Sequence, residues 1–216
     1  MEKNVAILLA DLSGFTALTE THGAVSAADI VDKYIGIAEK CLVGNTIIHE
    51  RKGDEIMLIS DSPDSLLATA IKLEANTVKE ENFLQIHGGL HFGKLLKRAD
   101  NYFGTAINLT ARIAAKAASG TFWCSNDFVD SIKDKSMCNF IPKGNHRFKN
   151  ITEEKEVFEL HIERINTNHI DPVCRMVIVN SQNAIYHPQE DGLYFCAPQC
   201  LEIYQKNYLL HQSLQN

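Results

Sequence analysis

The chain opens on an unbroken apolar run, Val5-Ala6-Ile7-Leu8-Leu9-Ala10, which Asp11 ends. A continuous run, rather than an alternating one, predicts a strand over residues 4–11 covered on both faces. Ile30, Tyr34, Ile37, Ala38 and Cys41 recur at helical spacing and predict a helix from about Ala27 to Leu42, with Ser26 as N-cap. Thr46–Arg51 and Glu55–Ser60 flank Lys52-Gly53-Asp54 and predict a hairpin. Ser62-Pro63-Asp64 starts a helix to about Lys79, with Pro63 suited to its first turn. In Gln85–Leu96 the apolar Ile86, Leu90 and Phe92 alternate with His87, Gly89, His91 and Gly93, which predicts a strand. Gly88-Gly89 argues against a helix there, and so against His87 and His91 as a helical metal pair. Gly104 to about Ser119 reads as an alanine-rich helix, and one or two strands follow, the last being Lys155–Ile162. This order predicts an α+β sandwich with helices packed on a largely antiparallel sheet. The polar stretch Glu163–Ile170 reads as a linker, dividing a domain over 1–162 from a small module over 171–211.

At 216 residues, 45% hydrophobic and 22% charged, the chain has room for one medium domain plus a small one. Its net charge of −6 excludes a general nucleic-acid binder, yet leaves nucleotides open, since a few local cations can hold them. The six-residue apolar run is too short for a membrane span or a signal-peptide core, so a cytoplasmic protein with no membrane partner is expected. Cysteines in that compartment read as thiols or metal ligands. Cys41, Cys124 and Cys138 are isolated and read as small buried hydrophobes, whereas Cys174, Cys196 and Cys200 cluster in the last quarter.

Two acids carry the first chemical signal. Asp11 ends a buried strand, and Asp54 sits in a glycine-bearing turn before the apolar run Ile56-Met57-Leu58-Ile59. Taken singly, each could cap its own turn. Together they offer Mg²⁺ the oxygen ligands it prefers, a carboxylate pair completed by substrate phosphates. On the alanine-rich helix, Thr105, Asn108 and Arg112 share one polar stripe. The arginine can neutralise an oxyanion, and the asparagine can orient a sugar.

These residues resemble the class III nucleotidyl cyclases, the adenylate and guanylate cyclase catalytic domains. The matching segments are Asp11-Leu-Ser-Gly-Phe-Thr16, Gly53-Asp54-Glu-Ile-Met57, Gly89-Leu-His-Phe-Gly93 and Asp100-Asn-Tyr-Phe-Gly-Thr-Ala-Ile-Asn-Leu-Thr-Ala-Arg112, in the family's order across about residues 3–162. The resemblance implies that Asp11 and Asp54 hold two Mg²⁺ or Mn²⁺ ions, one serving the ribose 3′-oxygen and the other the triphosphate. It also implies that Asn108 positions the ribose, Arg112 stabilises charge at the α-phosphate, and Lys149 meets the triphosphate. The family builds each site from two subunits, so a head-to-tail homodimer is implied, converting ATP or GTP to a 3′,5′-cyclic nucleotide for signal transduction. The family's purine-selecting positions are Glu50 and Asn101 here, where adenylate cyclases usually carry lysine and aspartate. Glutamate accepts from the guanine N1 and 2-amino donors, and asparagine donates to O6, so the pair leans toward guanine. The other reading is a catalytically degenerate nucleotide-binding or dimerisation protein.

The tail carries a second signal, Asp171-Pro-Val-Cys174-Arg-Met and Tyr194-Phe-Cys196-Ala-Pro-Gln-Cys200. A four-residue step at a helix start puts two thiols on one side, which suits Zn²⁺ or Cu⁺. About forty residues also hold too little core to fold easily alone. With Tyr186-His187, the tail resembles the YHS domain, related to treble-clef metal modules, though Arg175 stands where that family has glycine. The fourth ligand is His187 or Asp171, or the position stays open. Metal-free buried thiols are the alternative.

Overall fold

The computed structural model describes residues 2–162 and 168–213, with side chains to Asn207. In chain order the elements are β1 (Glu2–Leu12), α1 (Phe15–Cys41), β2 (Ile47–Lys52), β3 (Glu55–Ser60), α2 (Pro63–Thr77), β4 (Phe83–Leu84), β5 (Ile86–Arg98) and β6 (Asn101–Phe103). They continue as α3 (Thr105–Ala114), β7 (Phe122–Ser125), α4 (Asn126–Ser131), β8 (Asn139–His146) and β9 (Lys155–His161). The tail holds β10 (His169–Ile170), β11 (Met176–Ile178), β12 (Ile185–Tyr186), β13 (Tyr194–Phe195) and α5 (Pro198–Ser213). Two units emerge, one gathering residues 2–12, 36–75 and 86–162, the other 13–35, 76–85 and 168–213.

The first unit is built around β1. Every residue from Val5 to Ala10 is buried, as the unbroken apolar run predicts. β1 lies between β3 and β5, antiparallel to both, with Leu8 opposite Leu58 on one side and Leu90 on the other. The described sheet has eight strands in the order β2-β3-β1-β5-β7-β9-β8, with β6 added to β5. Only β5 and β7 run parallel in this sheet, so the expectation of a largely antiparallel sheet holds. Val5, Ile7 and Leu9 share one core with Met57, Ile59, Leu95, Ala106 and Ala114, and this core ties α3 to the sheet. The helical periodicity of α3 places Leu109 and Ile113 with Phe148 and Val157, leaving Asn108 exposed.

Gly88-Gly89 has a packing reason as well as a strand-forming one. A Cβ on Gly89 would lie 2.4 Å from the Ala114 nitrogen and 2.5 Å from the Thr110 oxygen, both backbone atoms of α3. One on Gly88 would meet the Leu9 oxygen at 2.4 Å. Backbone cannot swing aside as a side chain can, so Gly89→Ala should lower stability by about 2–3 kcal/mol, read as a shift in denaturant midpoint.

Several boundaries differ from the sequence expectation. α1 starts at Phe15 rather than Ala27, because a short helical segment precedes a break at Gly23, where φ is 83° and ψ 169°. Ser26 lies inside the second segment instead of capping it. In the first unit three described strands, not one or two, follow α3, and α3 stops at Ala114 where Ala117 N–H turns back to Ile113 and Ala114 carbonyls. Of the expected linker, 163–167 lie outside the described residues, and its end is β10, paired with β11.

In the second unit β10, β11 and β4 form a three-stranded sheet, Val177 pairing with both Ile170 and Phe83. The Glu81 carboxylate accepts the Val179 and Asn180 N–H groups, each at 3.0 Å. β12 and β13 form a hairpin that leads into α5.

Candidate functional site

Asp11 and Asp54 are brought together by register. Ala10 pairs with Ile56 across β1 and β3, which carries Asp11 to the mouth of the hairpin holding Asp54. That hairpin closes in two residues, since Lys52 pairs with Glu55, and Gly53 supplies the positive φ of 63° at the first turn position. This is the pattern of a type II′ turn. The two carboxyls hydrogen-bond to one another, and Asp11 Oδ1 also accepts the Leu12 N–H at 3.0 Å. Burial, then the charge of Asp11, pushes Asp54 up to about 6. Asp11 is raised by burial first, while its hydrogen bond to Asp54 pulls the other way. Two half-buried acids this close disfavour each other's ionisation. The donor set fits a hard divalent cation, which would offset that repulsion and take oxygens from both carboxylates.

His87 pairs with Asp11 across β1 and β5 and lies close enough to Asp54 for its charge to be felt. Burial holds its pKa below the ordinary histidine value. His91, four residues on, has a separate role. Ser125 Oγ caps α4 by accepting the Phe128 N–H and also shares a hydrogen bond with His91 Nδ1, 2.7 Å away. Burial pushes His91 down to about 4, with Lys155 adding to the shift and Asp127 opposing it. A histidine lowered in the fold binds a proton more readily when unfolded. Its contribution is therefore complete above about pH 6.5 and lost as pH falls toward 4. Denaturation across that window should show stability declining on acidification, and His91→Gln should remove on the order of 2 kcal/mol of the decline.

The other expected site residues fall as follows. Asn108 and Arg112 lie one turn apart on α3, Asn108 exposed and Arg112 half-buried. Arg112 Nε is buried and has no hydrogen-bond partner among the described residues. Among the described residues neither side chain bonds to Asp11 or Asp54. Glu50 is exposed on β2 beside a bulge at His49, and Asn101 is exposed at the start of β6. The rings of His49 and Tyr102 meet edge to face at 5.0 Å, which joins the segments bearing Glu50 and Asn101. Lys149 is exposed next to the buried Phe148. A cavity of about 630 Å³, lined by Asn4, Lys94, Thr105, Asp127 and Lys155, sits at the opposite end of β1 from Asp11 and contains none of the site acids.

In the second unit the three tail cysteines converge. Cys196 Sγ lies 3.4 Å from Cys174 Sγ and 3.6 Å from Cys200 Sγ. The S–H groups of Cys196 and Cys200 lower the Cys174 pKa, and the same pairings raise theirs. His187 is not in this group: its Nδ1 accepts the Gln189 and Glu190 N–H groups, and its Nε2 faces Glu190 at 4.0 Å. Asp171 is fully buried but serves the backbone, accepting N–H groups from Val173, Cys174 and Cys196. Sequence reasoning missed His22, whose Nε2 is 3.6 Å from Cys196 Sγ and 3.5 Å from Cys200 Sγ. Arg175 makes the expected turn without glycine, at φ 68°. Its side chain lies against Gly14, where a Cβ would come within 2.4 Å of Arg175 Cβ.

The fold of the chain is shared with nucleotidyl cyclase catalytic domains. An adenylate cyclase of Trypanosoma brucei, solved in its monomeric state, superposes with TM-score 0.67 at 17% identity, over 73% of this chain and 87% of that one. The adenylyl cyclase CyaB of P. aeruginosa gives 0.63 at 18% identity, over 77% and 97%. The guanylate cyclase domain of RhGC from Catenaria anguillulae, in complex with GTP, gives 0.59 at 16%, over 76% and 100%. In sequence, a pH-sensitive adenylate cyclase of Mycobacterium tuberculosis is 26% identical over 132 residues, 61% of this chain and 33% of its own length. An uncharacterized protein of the same species is 29% identical over 153 residues, 70% of this chain. The chain spans 40% of that relative's length. No family model matches the sequence. Among the described residues no helix is long and apolar enough to cross a membrane.

Proposed function

We propose that this chain is a purine nucleotide cyclase, forming a 3′,5′-cyclic nucleotide and pyrophosphate from ATP or GTP at sites shared across a head-to-tail homodimer. The observation that carries this reading is the Asp11–Asp54 carboxyl pair, held half-buried by strand register and a two-residue turn. Two Mg²⁺ or Mn²⁺ ions on those acids would supply Lewis-acid activation of the 3′-oxygen and neutralise the triphosphate. Arg112, whose buried Nε has no partner among the described residues, answers the charge that grows on the α-phosphate. Asn108, one turn earlier, holds the ribose so that the 3′-oxygen lies in line with that phosphorus. Lys149 meets the outer phosphates, and Glu50 and Asn101 face the base. The first unit carries both halves of a site, the acids and the Asn108/Arg112 pair, without bonding them to one another, which supports completion by a second copy.

The test is incubation with Mn²⁺ and either ATP or GTP, with cyclic product read by mass spectrometry and Asp54→Ala as control. Product from at least one nucleotide is expected, with GTP turned over the faster because of Glu50 and Asn101. Absence of product from both, in a confirmed dimer, overturns the enzyme. It would favour the degenerate binding protein, the reading that Glu50 and Asn101 support. The tail thiols Cys174, Cys196 and Cys200 are proposed to bind Zn²⁺ or Cu⁺ and to act as a metal-sensing module in the cytoplasm. Chelation should then alter cyclase activity, and an identical rate before and after metal removal would discard the sensing role.

A further inference from the structure

We infer that His22 is the fourth ligand of a closed Cys₃His zinc site, completed by Cys174, Cys196 and Cys200, so that helix α1 and the tail are cross-linked by one ion. The inference rests on the tail thiols being a metal site, as proposed above, and adds the donor that the tail itself lacks.

Four of the six donor–donor distances can be set beside the edges of a zinc tetrahedron. With Zn–S near 2.3 Å and Zn–N near 2.0 Å, the edges of a Cys₃His tetrahedron are about 3.8 Å between sulfurs and about 3.6 Å from sulfur to nitrogen. Here the sulfur edges are 3.4 and 3.6 Å and the sulfur–nitrogen edges 3.6 and 3.5 Å. All four donor atoms lie within 4.8 Å of one another. Three soft thiolates and an imidazole make a structural zinc set with no position left for substrate.

The surroundings hold each ligand in place, which a chance meeting of thiols does not require. Asp171, fully buried, fastens two ligand-bearing loops at once: Oδ1 takes the Val173 and Cys174 N–H groups and Oδ2 the Cys196 N–H at 2.8 Å. Cys200 lies in the first turn of α5, its N–H bonded to the Ala197 carbonyl at 3.1 Å. His22 is the last residue before the break at Gly23, so the first segment of α1 ends at the ligand. Gln199 Nε2 bonds the Thr21 carbonyl at 2.6 Å, fixing that segment end beside the cysteines.

The test uses the full chain, purified under reducing conditions and loaded with Zn²⁺ or with Co²⁺ as a spectroscopic probe. One Zn²⁺ per chain is expected by elemental analysis, and Co²⁺ should give tetrahedral visible bands with sulfur-to-cobalt charge transfer. His22→Ala should weaken Zn²⁺ binding by about 100-fold or more against a chelating dye and alter the cobalt spectrum. His22→Cys keeps a fourth donor, so it should retain tight binding while charge-transfer intensity rises by about a third. It guards against a variant that merely misfolds. His187→Ala should change neither readout. If His22→Ala binds Zn²⁺ as tightly as the parent with the same cobalt spectrum, the role of His22 is overturned and the three-thiol site stands. If the parent binds no metal at all, the thiol-site reading falls with it.

Discussion

Asp54→Asn should leave a folded protein in which the proposed cyclic-nucleotide formation is reduced by on the order of 10³-fold or more. The amide keeps the shape of the turn, since Gly53 rather than Asp54 carries the unusual φ of 63°. What it removes is half of the charge that would hold the metal in the proposed site. The expected stability change has the opposite sign to the activity change. In the metal-free protein Asp54 is raised to about 6, first by burial and then by Asp11, so its charge at neutral pH costs the fold stability. Removing the charge should raise or preserve Tm in the absence of metal while abolishing turnover. A variant that loses activity and Tm together would mark Asp54 as a structural residue instead.

The second large effect concerns assembly. Arg112→Ala should also reduce turnover by about 10²- to 10³-fold, because an oxyanion-stabilising cation is typically worth several kcal/mol in the transition state. Mixing it with Asp54→Asn provides the sharper measurement. In a two-fold dimer with shared sites, the mixed species has one doubly broken site and one intact site. Equal mixing should then restore about one quarter of the parental rate from two nearly silent proteins. If subunits exchange and no activity returns, the acids and Arg112 do not act across a dimer. Size-exclusion chromatography of a tagged mixture verifies the exchange.

Long-range register and short local patterns were not equally legible in the sequence. The buried β1, the Gly53-Asp54 hairpin and the polar stripe on α3 were readable because each rests on a period or a turn that a few consecutive residues declare. The meeting of Asp11 with Asp54 followed from placing two such elements side by side. The short helix ahead of Gly23 was not readable, since Phe15–His22 is too brief for an amphipathic period. Nor was the pairing of Val177 with both Phe83 and Ile170, because strands of two or three residues carry no alternation. His22 illustrates the limit most clearly. A single histidine far along the chain from three cysteines has no spacing rule, and His187 looked better only because it lay nearby in sequence. The structure instead commits His187 to its own loop through Gln189 and Glu190.

Gly14 belongs to the segment that begins at Asp11, and its φ of 90° already disfavours any other residue. Arg175 closes the space above it, so a methyl at position 14 has nowhere to go. Arg175 in turn holds its own left-handed backbone, a conformation glycine would adopt more cheaply. The two positions therefore constrain each other's side chains, although they stand far apart in the sequence. A recombination event that swapped in a foreign tail would have to bring a compatible neighbour for Gly14 with it. Any side chain at position 14 would therefore have to displace Arg175 as well as adopt a disfavoured backbone.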